Sequence, residues 1–552
     1  MHLLSRLANR TLKAKAWRGM RRWASATDHT AETQENLLMR IVRENRETVF
    51  GREHELMRVR SVADYQGRVP IRDYDDFVPY VEAIAAGQNG VLTADTVTRL
   101  LPTGGSTGGT KLIPHTGSLR SAFQRGIDPW LHSLFTQWPG VMNGRAYWQV
   151  TPPAGSSRTG AGLTGFEEDS QYLSSTARAL TQHLLAVPDS VGHLESLDNF
   201  KYVTLRYLLA CQDLTIISVW SPTFLEALLG SMDRWRESLL EDIHDGTLKM
   251  PDEVPGHIPE RFGSLRVPRP KRARELERCL GSQTRPLAHV WPELRVISCW
   301  SDGSASEPAR RLMERFPGAA LQPKGLIATE AIITFPWRSA GQALAVTSHF
   351  FEFLDGSDRV HLAHELKQGQ SYSVIVTTQG GLYRYRLRDL VYVTGRVGNC
   401  PTLDFLGKEE LIVDLVGEKL HEAFVRAAVE QSCADLSIRP MFSLVAPSAP
   451  SPRAPGFTLF IQYDDLSESD RVICRRLAHR LDSALQHNYQ YRYAREIGQL
   501  AQIRVATIDR EINAMERFER HCRSRGQRLG RVKPVALHSD SDWGVAFVAG
   551  RS

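Results

Sequence analysis

The hydrophobic positions of the chain form two kinds of pattern, short apolar runs and longer stretches with helical spacing. Residues 35–50 predict an amphipathic helix, because their apolar side chains recur every three to four positions. Apolar runs of strand length lie at 146–150, 214–220, 294–300 and 372–377. Such alternation of strands and helices predicts an α/β architecture with buried strands.

The pattern changes near residue 410. Beyond it we predict a short strand, a helix over 421–430, a proline-rich loop over 446–455 and two strands with alternating burial around 457–461 and 503–507. A helix separates these last two strands. The chain is therefore divided into a large domain, residues 34–409, and a smaller α+β domain, residues 410–552, preceded by an extension of residues 1–33.

Composition limits the class of protein. The 552 residues are 42% hydrophobic and 24% charged, typical of a globular protein with an ample core, and the net charge of +6 does not indicate a nucleic-acid binder. The seven cysteines are scattered without CxxC spacing, which disfavours a disulfide framework or a zinc site and favours the cytoplasm. The longest apolar run is too short to predict a transmembrane segment.

The N-terminal stretch, residues 1–24, has seven basic residues and no acidic one. It lacks the apolar core of a secretory signal, but a transit peptide, a membrane-surface helix and a solvated basic helix leading into the fold all stay open. We expect the extension to be dispensable for chemistry.

A glycine-rich stretch, LPTGGSTGGTKLIPHT, occupies residues 101–116. Glycines let successive backbone N–H groups point at one anion, and the hydroxyls and Lys111 add further donors, so the stretch predicts a phosphate site. It is not a Walker loop, because Thr110 intervenes before Lys111 and Leu112 replaces the magnesium-binding hydroxyl. A flexible loop without a ligand stays open.

The core of this stretch, TGGSTGGTK, resembles the phosphate loop of the adenylate-forming superfamily, which activates carboxylates with ATP. Four further elements resemble that superfamily and follow in its order. They are Leu326–Glu330, Tyr385–Asp389, a hinge-like Gly407–Glu410 and Val416–Glu422. One branch matches best. Its signatures, TVFGREH at 48–54, VPIRDYDDF at 69–77, KLIP at 111–114 and GRVKP at 530–534, resemble the Gretchen Hagen family of acyl acid amido synthetases.

This resemblance, which covers the chain from about residue 34, implies a large N-terminal adenylate-forming domain with mixed β-sheets flanked by helices and a smaller, mobile C-terminal domain. It implies a ligase that uses ATP and Mg²⁺ to convert a carboxylic acid to its adenylate and then joins the acyl group to an amine, expected to be an amino acid. We expect a monomer without a nucleic-acid partner. A ligase that passes the acyl group to coenzyme A, or a binding protein that has lost turnover, are the alternatives.

The resemblance also implies roles for individual residues. Catalysis is assigned to Lys111, Glu330 and Lys533, with Glu330 as the magnesium ligand and Lys533 reaching the α-phosphate from the small domain. Asp389 is expected to accept hydrogen bonds from the ribose hydroxyls. The remaining nucleotide contacts are expected from Ser106, Thr107, Gly108, Thr329, Phe405 and Lys419.

Three positions depart from the superfamily pattern. Leu326 replaces the aromatic residue that stacks on adenine in relatives, and Gly104 replaces a serine of the phosphate loop. Trp300–Gly303 replaces a Thr-Gly-Ser element near the acyl pocket. The sequence therefore leaves the acid substrate open.

Overall fold

The computed structural model describes residues 2–103, 111–149, 184–254, 262–280, 287–302, 305–409, 412–413, 415–416, 418, 420–448, 455–463, 470–525, 532 and 534–548. The helices are α1 (His2–Asp28), α2 (Thr30–Asn45), α3 (Val49–Glu53), α4 (Val62–Arg68), α5 (Val78–Ala85), α6 (Gly117–Gln137), α7 (Leu197–Ala210), α8 (Pro222–Arg234), α9 (Arg236–Asp245), α10 (Pro270–Leu280), α11 (Ser306–Glu314), α12 (Glu422–Asp435), α13 (Asp470–Leu485), α14 (Tyr489–Glu496), α15 (Ala514–Ser524) and α16 (Trp543–Val548). The strands are β1 (Val97–Thr103), β2 (Lys111–Thr116), β3 (Arg145–Trp148), β4 (Leu214–Ser218), β5 (Val296–Cys299), β6 (Ala320–Pro323), β7 (Thr334–Pro336), β8 (Gln342–Leu344), β9 (Phe350–Leu354), β10 (Val360–Leu362), β11 (Ser371–Thr377), β12 (Tyr385–Val397), β13 (Cys400–Lys408), β14 (Ile412–Val413), β15 (Leu420–His421), β16 (Pro440–Pro447), β17 (Phe457–Tyr463) and β18 (Arg504–Thr507).

A parallel sheet is built from the apolar runs of the first half of the chain. Its strand order is β3-β4-β5-β6, and each neighbouring pair is parallel. β4 and β5 are buried along their whole length, as strands covered on both faces must be. Helices of the intervening segments pack around this sheet in one core that includes Tyr202, Leu228 and Leu276. The predicted α/β architecture is confirmed.

A larger sheet of seven strands follows, in the order β10-β9-β11-β12-β13-β8-β7. Every neighbouring pair in it is antiparallel. Its longest strand, β12, alternates buried and half-buried residues from Tyr385 onward, which is the pattern of a strand with one face on a core. The predicted helix over 35–50 is found, but it begins earlier, as α2, and a short turn separates it from α3.

The N-terminal helix α1 packs onto the large unit. Ala8, Leu12, Ala16 and Trp23 are buried in the same core as the seven-stranded sheet. The indole of Trp23 is fully buried and donates a hydrogen bond of 3.0 Å to the carbonyl of residue 344. The helix is therefore part of the large unit. The division of the chain at residues 33 and 409 stays a prediction.

The small C-terminal unit is α+β, as predicted. β16 and β17 pair antiparallel, and β18 joins β17 in parallel. The segment after residue 533 extends this sheet, because the Val445 amide donates to the Ala536 carbonyl over 2.8 Å. The unit contacts the large one through Arg426, which donates to the Leu406 carbonyl over 3.1 Å, and through Arg311, which donates to the Met441 carbonyl over the same distance.

None of the helices that the structure describes has the length and apolar character needed to cross a membrane.

Candidate active site

The two N-terminal signature motifs hold one end of β12. Arg72 lies beside this strand, donating from its amide to the Arg384 carbonyl over 3.0 Å and accepting from the Arg386 amide over 2.9 Å. Its guanidinium lies 2.7 Å from Nε2 of His54, which stacks on Phe50 with 4.0 Å between ring centroids. The motifs at 48–54 and 69–77 therefore form a support for the strand that carries Asp389.

A bidentate ion pair reinforces this support. The Arg388 guanidinium donates to both carboxylate oxygens of Asp73, at 3.0 and 2.7 Å. These hydrogen bonds hold the pKa of Asp73 below its usual value. Arg388 has a φ of +58°, a left-handed backbone that a non-glycine residue adopts at a cost. Sequence comparison named both residues as parts of motifs but gave no sign that they contact each other.

Lys111 begins β2, directly after the glycine-rich loop. Its ammonium lies 5.7 Å from the ring centroid of Tyr74, whose hydroxyl accepts from the Leu112 amide over 2.6 Å. The charge of Lys111 contributes to the lowered pKa of Asp73 and opposes the increase that burial causes in the pKa of Glu330. The lysine is thus held in a cluster with carboxylates from two distant segments.

Asp389 lies at the center of the site. Its side chain is 4% exposed and forms an ion pair with Lys408, whose ammonium lies 2.8 Å from the carboxylate. Lys408 lies opposite Asp389 on β13. Lys408 also donates to the Leu387 carbonyl over 3.3 Å. The sequence placed Lys408 in the hinge-like motif and assigned it no role. The structure shows that it balances the charge of a buried carboxylate.

Glu330 lies in the turn that connects β6 to β7. The residue is 8% exposed, and burial raises the pKa of its carboxyl, with Asp389 adding to the increase and Lys408 and Lys111 opposing it. The turn is closed by a hydrogen bond of 2.9 Å from the Ala328 amide to the Ala331 carbonyl. Three predicted residues, Lys111, Glu330 and Asp389, are therefore brought into one electrostatic cluster with Lys408.

The other predicted site residues divide into two groups. Thr329 is half-buried next to Glu330, and Phe405 is half-buried on β13 opposite Val391. Ser106, Thr107, Gly108, Lys419 and Lys533 lie outside the described residues. The backbone beside Lys533 is anchored, because Val532 is buried and the Ala536 amide donates to the Glu422 carboxylate over 2.9 Å.

The structure shows the contacts of Leu326 and Trp300, two of the residues that depart from the superfamily pattern. Leu326 is buried, and its amide donates to the Thr334 hydroxyl over 2.8 Å. Trp300 follows β5 at the carboxyl edge of the parallel sheet, where ligands bind in open α/β sheets. Its ring lies 6.4 Å from that of Trp220, which in turn lies 4.1 Å from the buried ammonium of Lys324. This edge therefore presents two indoles and one cation.

A magnesium ion fits Glu330 only as part of a site completed by phosphates. Within the described residues, the one group of three carboxylate or imidazole ligands is His521, Asp540 and Asp542, in the small unit. Arg525 already pairs with both of those aspartates, at 3.0 and 2.7 Å, so we interpret that group as an ion-pair network. Magnesium bound through one carboxylate, water and phosphate oxygens is common in nucleotide enzymes.

Comparison with solved structures identifies the fold. The structure described as "AtGH3.15 acyl acid amido synthetase in complex with 2,4-DB" superposes with a TM-score of 0.84 and 18% identity, covering 95% of this chain and 94% of that one. The class defined by the fold and the site is thus a two-unit α/β protein built as the amido synthetases are.

Sequence comparison identifies the family. Residues 19–321 match the GH3 family N-terminal domain and residues 342–408 the GH3 family central domain, together more than half of the chain. The chain belongs to the GH3 family, as the resemblance predicted. It is 26% identical over 460 residues to the rice (Oryza sativa subsp. japonica) protein "Probable indole-3-acetic acid-amido synthetase GH3.12", covering 74% of this chain and 73% of the relative. It is 25% identical over 439 residues to "Jasmonoyl--L-amino acid synthetase JAR4" of Nicotiana attenuata, covering 74% and 75%.

Proposed function

We propose that this protein is an ATP-dependent acyl acid amido synthetase, which adenylates a carboxylic acid and transfers the acyl group to the amine of an amino acid. The observation that carries the proposal is the convergence of Lys111, Glu330 and Asp389, which come from three separate motifs, at one cluster in a chain of the GH3 family. The named relatives join an acid to an amine, which supports the reaction type.

In the first step, an oxygen of the substrate carboxylate attacks the α-phosphorus of ATP. The bond from that phosphorus to the bridging oxygen breaks, and pyrophosphate leaves. Negative charge develops on phosphate oxygens, so the protein contributes mainly by positioning and by electrostatic stabilisation. Lys111 supplies a cation beside the glycine-rich loop, and Thr329 supplies a hydroxyl donor to the α-phosphate. Ser106, Thr107 and Gly108 complete the contacts to the β- and γ-phosphates.

Asp389 binds the ribose in this proposal. A short, buried carboxylate can accept hydrogen bonds from two adjacent hydroxyls at once. Lys408 lies 2.8 Å from this carboxylate and pairs with it, so it holds the side chain in position before the nucleotide arrives. Phe405 lies on the neighboring strand and contacts the base or sugar, while Lys419 contacts a phosphate.

Glu330 is the residue that would hold Mg²⁺. When bound, the ion would supply neutralising charge at the phosphate oxygens. Burial raises the pKa of Glu330, and the nearby lysines favour its ionised form. A cation bound at this carboxyl would therefore lower the pKa of Glu330 and favour its ionised form.

In the second step, the amine nitrogen attacks the acyl carbon, the bond from that carbon to the phosphate oxygen breaks, and AMP leaves. We propose that the small domain rotates about Gly407–Glu410 between the two steps, withdrawing Lys533 from the α-phosphate. Such gating by domain motion is a common device. We further propose a cytoplasmic monomer.

A pyrophosphate-exchange screen across carboxylic acids tests the proposal. Wild-type protein is expected to exchange label between pyrophosphate and ATP only when its acid is present. Asp389→Ala is expected to abolish exchange and to weaken ATP binding in calorimetry, because a buried acceptor for two hydroxyls is lost. Asp233→Ala, which removes an exposed aspartate of α8, is the matched control and is expected to leave both unchanged. Near wild-type ATP affinity in Asp389→Ala would refute the ribose assignment.

Product analysis separates the alternatives. The active acid is incubated with ATP and either amino acids or coenzyme A, and mass spectrometry identifies an amide or a thioester. A thioester without an amide would make the protein a coenzyme A ligase. Absence of pyrophosphate release with every acid, despite ATP binding, would instead support a binding protein that has lost turnover.

A further inference from the structure

Helix α1 presents a second face that its packing leaves exposed. Leu4 and Leu7, about one helical turn apart, are 60% and 62% exposed, and Trp17 on the same face is 45% exposed. Five exposed arginines lie among them, and we call these eight residues the arginine face. The arginines are Arg6, Arg10, Arg18, Arg21 and Arg22.

The charge of the chain is concentrated in this helix. Residues 1–27 contain seven basic side chains and no acidic one, whereas the rest of the chain has 61 basic and 62 acidic side chains. The helix thus carries the entire positive excess of the protein. A rigid stripe of this sign is complementary to an anionic surface.

The opposite side of α1 fixes the orientation of the arginine face. Trp23 is fully buried and bonded to the carbonyl of residue 344, and the Asn9 amide donates to the Gly144 carbonyl over 2.9 Å. The helix is therefore attached to the large unit near its N-terminus by Asn9 and near its C-terminus by Trp23. From Leu4 to Arg22 the exposed stripe is roughly 27 Å long, at about 1.5 Å per residue.

We propose that the arginine face docks the protein on an anionic phospholipid surface. Guanidinium groups pair with lipid phosphates, and the leucines and Trp17 can enter the boundary between headgroups and acyl chains. The Arg21 guanidinium already lies 5.0 Å from the Trp17 ring centroid, a pairing of an interfacial aromatic residue with a cation. Nucleic acid would use the same arginines but offers the isolated leucines no apolar layer, so the leucines favour a bilayer.

Vesicle co-sedimentation of the full chain tests the proposal. We expect binding to vesicles of 70% phosphatidylcholine and 30% phosphatidylserine at 0.1 M NaCl, weak binding to phosphatidylcholine alone, and release at 0.5 M NaCl as charges are screened. The triple variant Arg10→Gln/Arg18→Gln/Arg21→Gln is expected to lower the partition coefficient about a hundredfold, or about fivefold per arginine. Leu4→Ser/Leu7→Ser keeps all charges and is expected to lower it about tenfold.

A charge-matched control removes three exposed cations from α10, as Lys271→Gln/Arg274→Gln/Arg278→Gln, and is expected to bind vesicles as wild type does. Equal loss in both triple variants would show nonspecific charge attraction and overturn the proposal. Unchanged binding of Leu4→Ser/Leu7→Ser would also overturn it, because the lipid-specific contact would be absent. Binding to a 30-nucleotide RNA or a DNA duplex with the same arginine dependence, without vesicle binding, would make the face a nucleic-acid surface instead.

Discussion

The ion pair between Lys408 and Asp389 gives the most direct test of the site. We consider Lys408→Gln, which removes the cation and leaves the 4% exposed carboxylate of Asp389 without its partner at 2.8 Å. Removing one partner of a fully buried pair costs about 3–5 kcal/mol. Lys408 is 36% exposed, so water replaces part of its contribution, and we expect a loss of about 2 kcal/mol.

The assay is scanning calorimetry of a double-mutant cycle formed by wild type, Lys408→Gln, Asp389→Asn and the double variant. For a unit of roughly 400 residues the unfolding entropy is about 0.8 kcal/mol per kelvin, so 2 kcal/mol corresponds to a decrease in Tm of about 2–3 °C. The double variant is expected to recover at least half of this loss, because no unpaired buried charge remains. Lys271→Gln, at an exposed position of α10, is expected to leave Tm unchanged.

The same variant has a predicted effect on activity. Lys408 lowers the pKa of Glu330, against the larger effect of burial, which raises it. Loss of the lysine therefore raises this pKa further, and the acidic limb of the pyrophosphate-exchange profile is expected to move to higher pH. If the losses in the free energy of unfolding add to within about 0.5 kcal/mol and the acidic limb does not move, the view that the two charges are coupled is refuted.

Three further predictions concern other parts of the molecule. Trp23→Ala is expected to cost about 3–5 kcal/mol because its indole is fully buried, while Trp17→Ala, on the exposed side of the same helix, is expected to change stability by less than about 0.5 kcal/mol in calorimetry. Glu519 of α15 has a pKa raised to about 7, chiefly by burial, so the folded state holds its proton more tightly than the unfolded state does. Wild-type Tm should therefore decline as pH rises from about 4.5 to about 7, and Glu519→Gln should remove up to about 3 kcal/mol of this dependence, raising Tm at pH 8 but not at pH 4; equal effects at both pH values would contradict this assignment. Lys533→Ala is expected to slow formation of the acyl-adenylate about 10²- to 10³-fold while preformed adenylate is still converted to amide at close to the normal rate; equal losses in both half-reactions would make Lys533 a structural residue of the small domain.

Several helices and strands could be predicted from local pattern. Runs such as 214–220 and 294–300 became buried parallel strands, because continuous apolar side chains are required on both faces of such a sheet. The motifs likewise located Lys111, Glu330 and Asp389, whose order along the chain follows the superfamily. The role of the N-terminal helix could not be predicted, since the basic residues on one face concealed the burial of Trp23 on the other.

The amino-acid sequence by itself determined the family and the class of fold, and it led to the residues that we predict to carry the chemistry. Periodicity and short motifs are local properties, so they are visible without coordinates. The tertiary structure alone decided which of these residues meet. Asp73 and Arg388 are 315 positions apart, and only the docking of the N-terminal signature against β12 brings them within 3.0 Å. Lys408 faces Asp389 because β12 and β13 pair in one register, and a hydrogen-bonded register is set by the fold of the whole sheet.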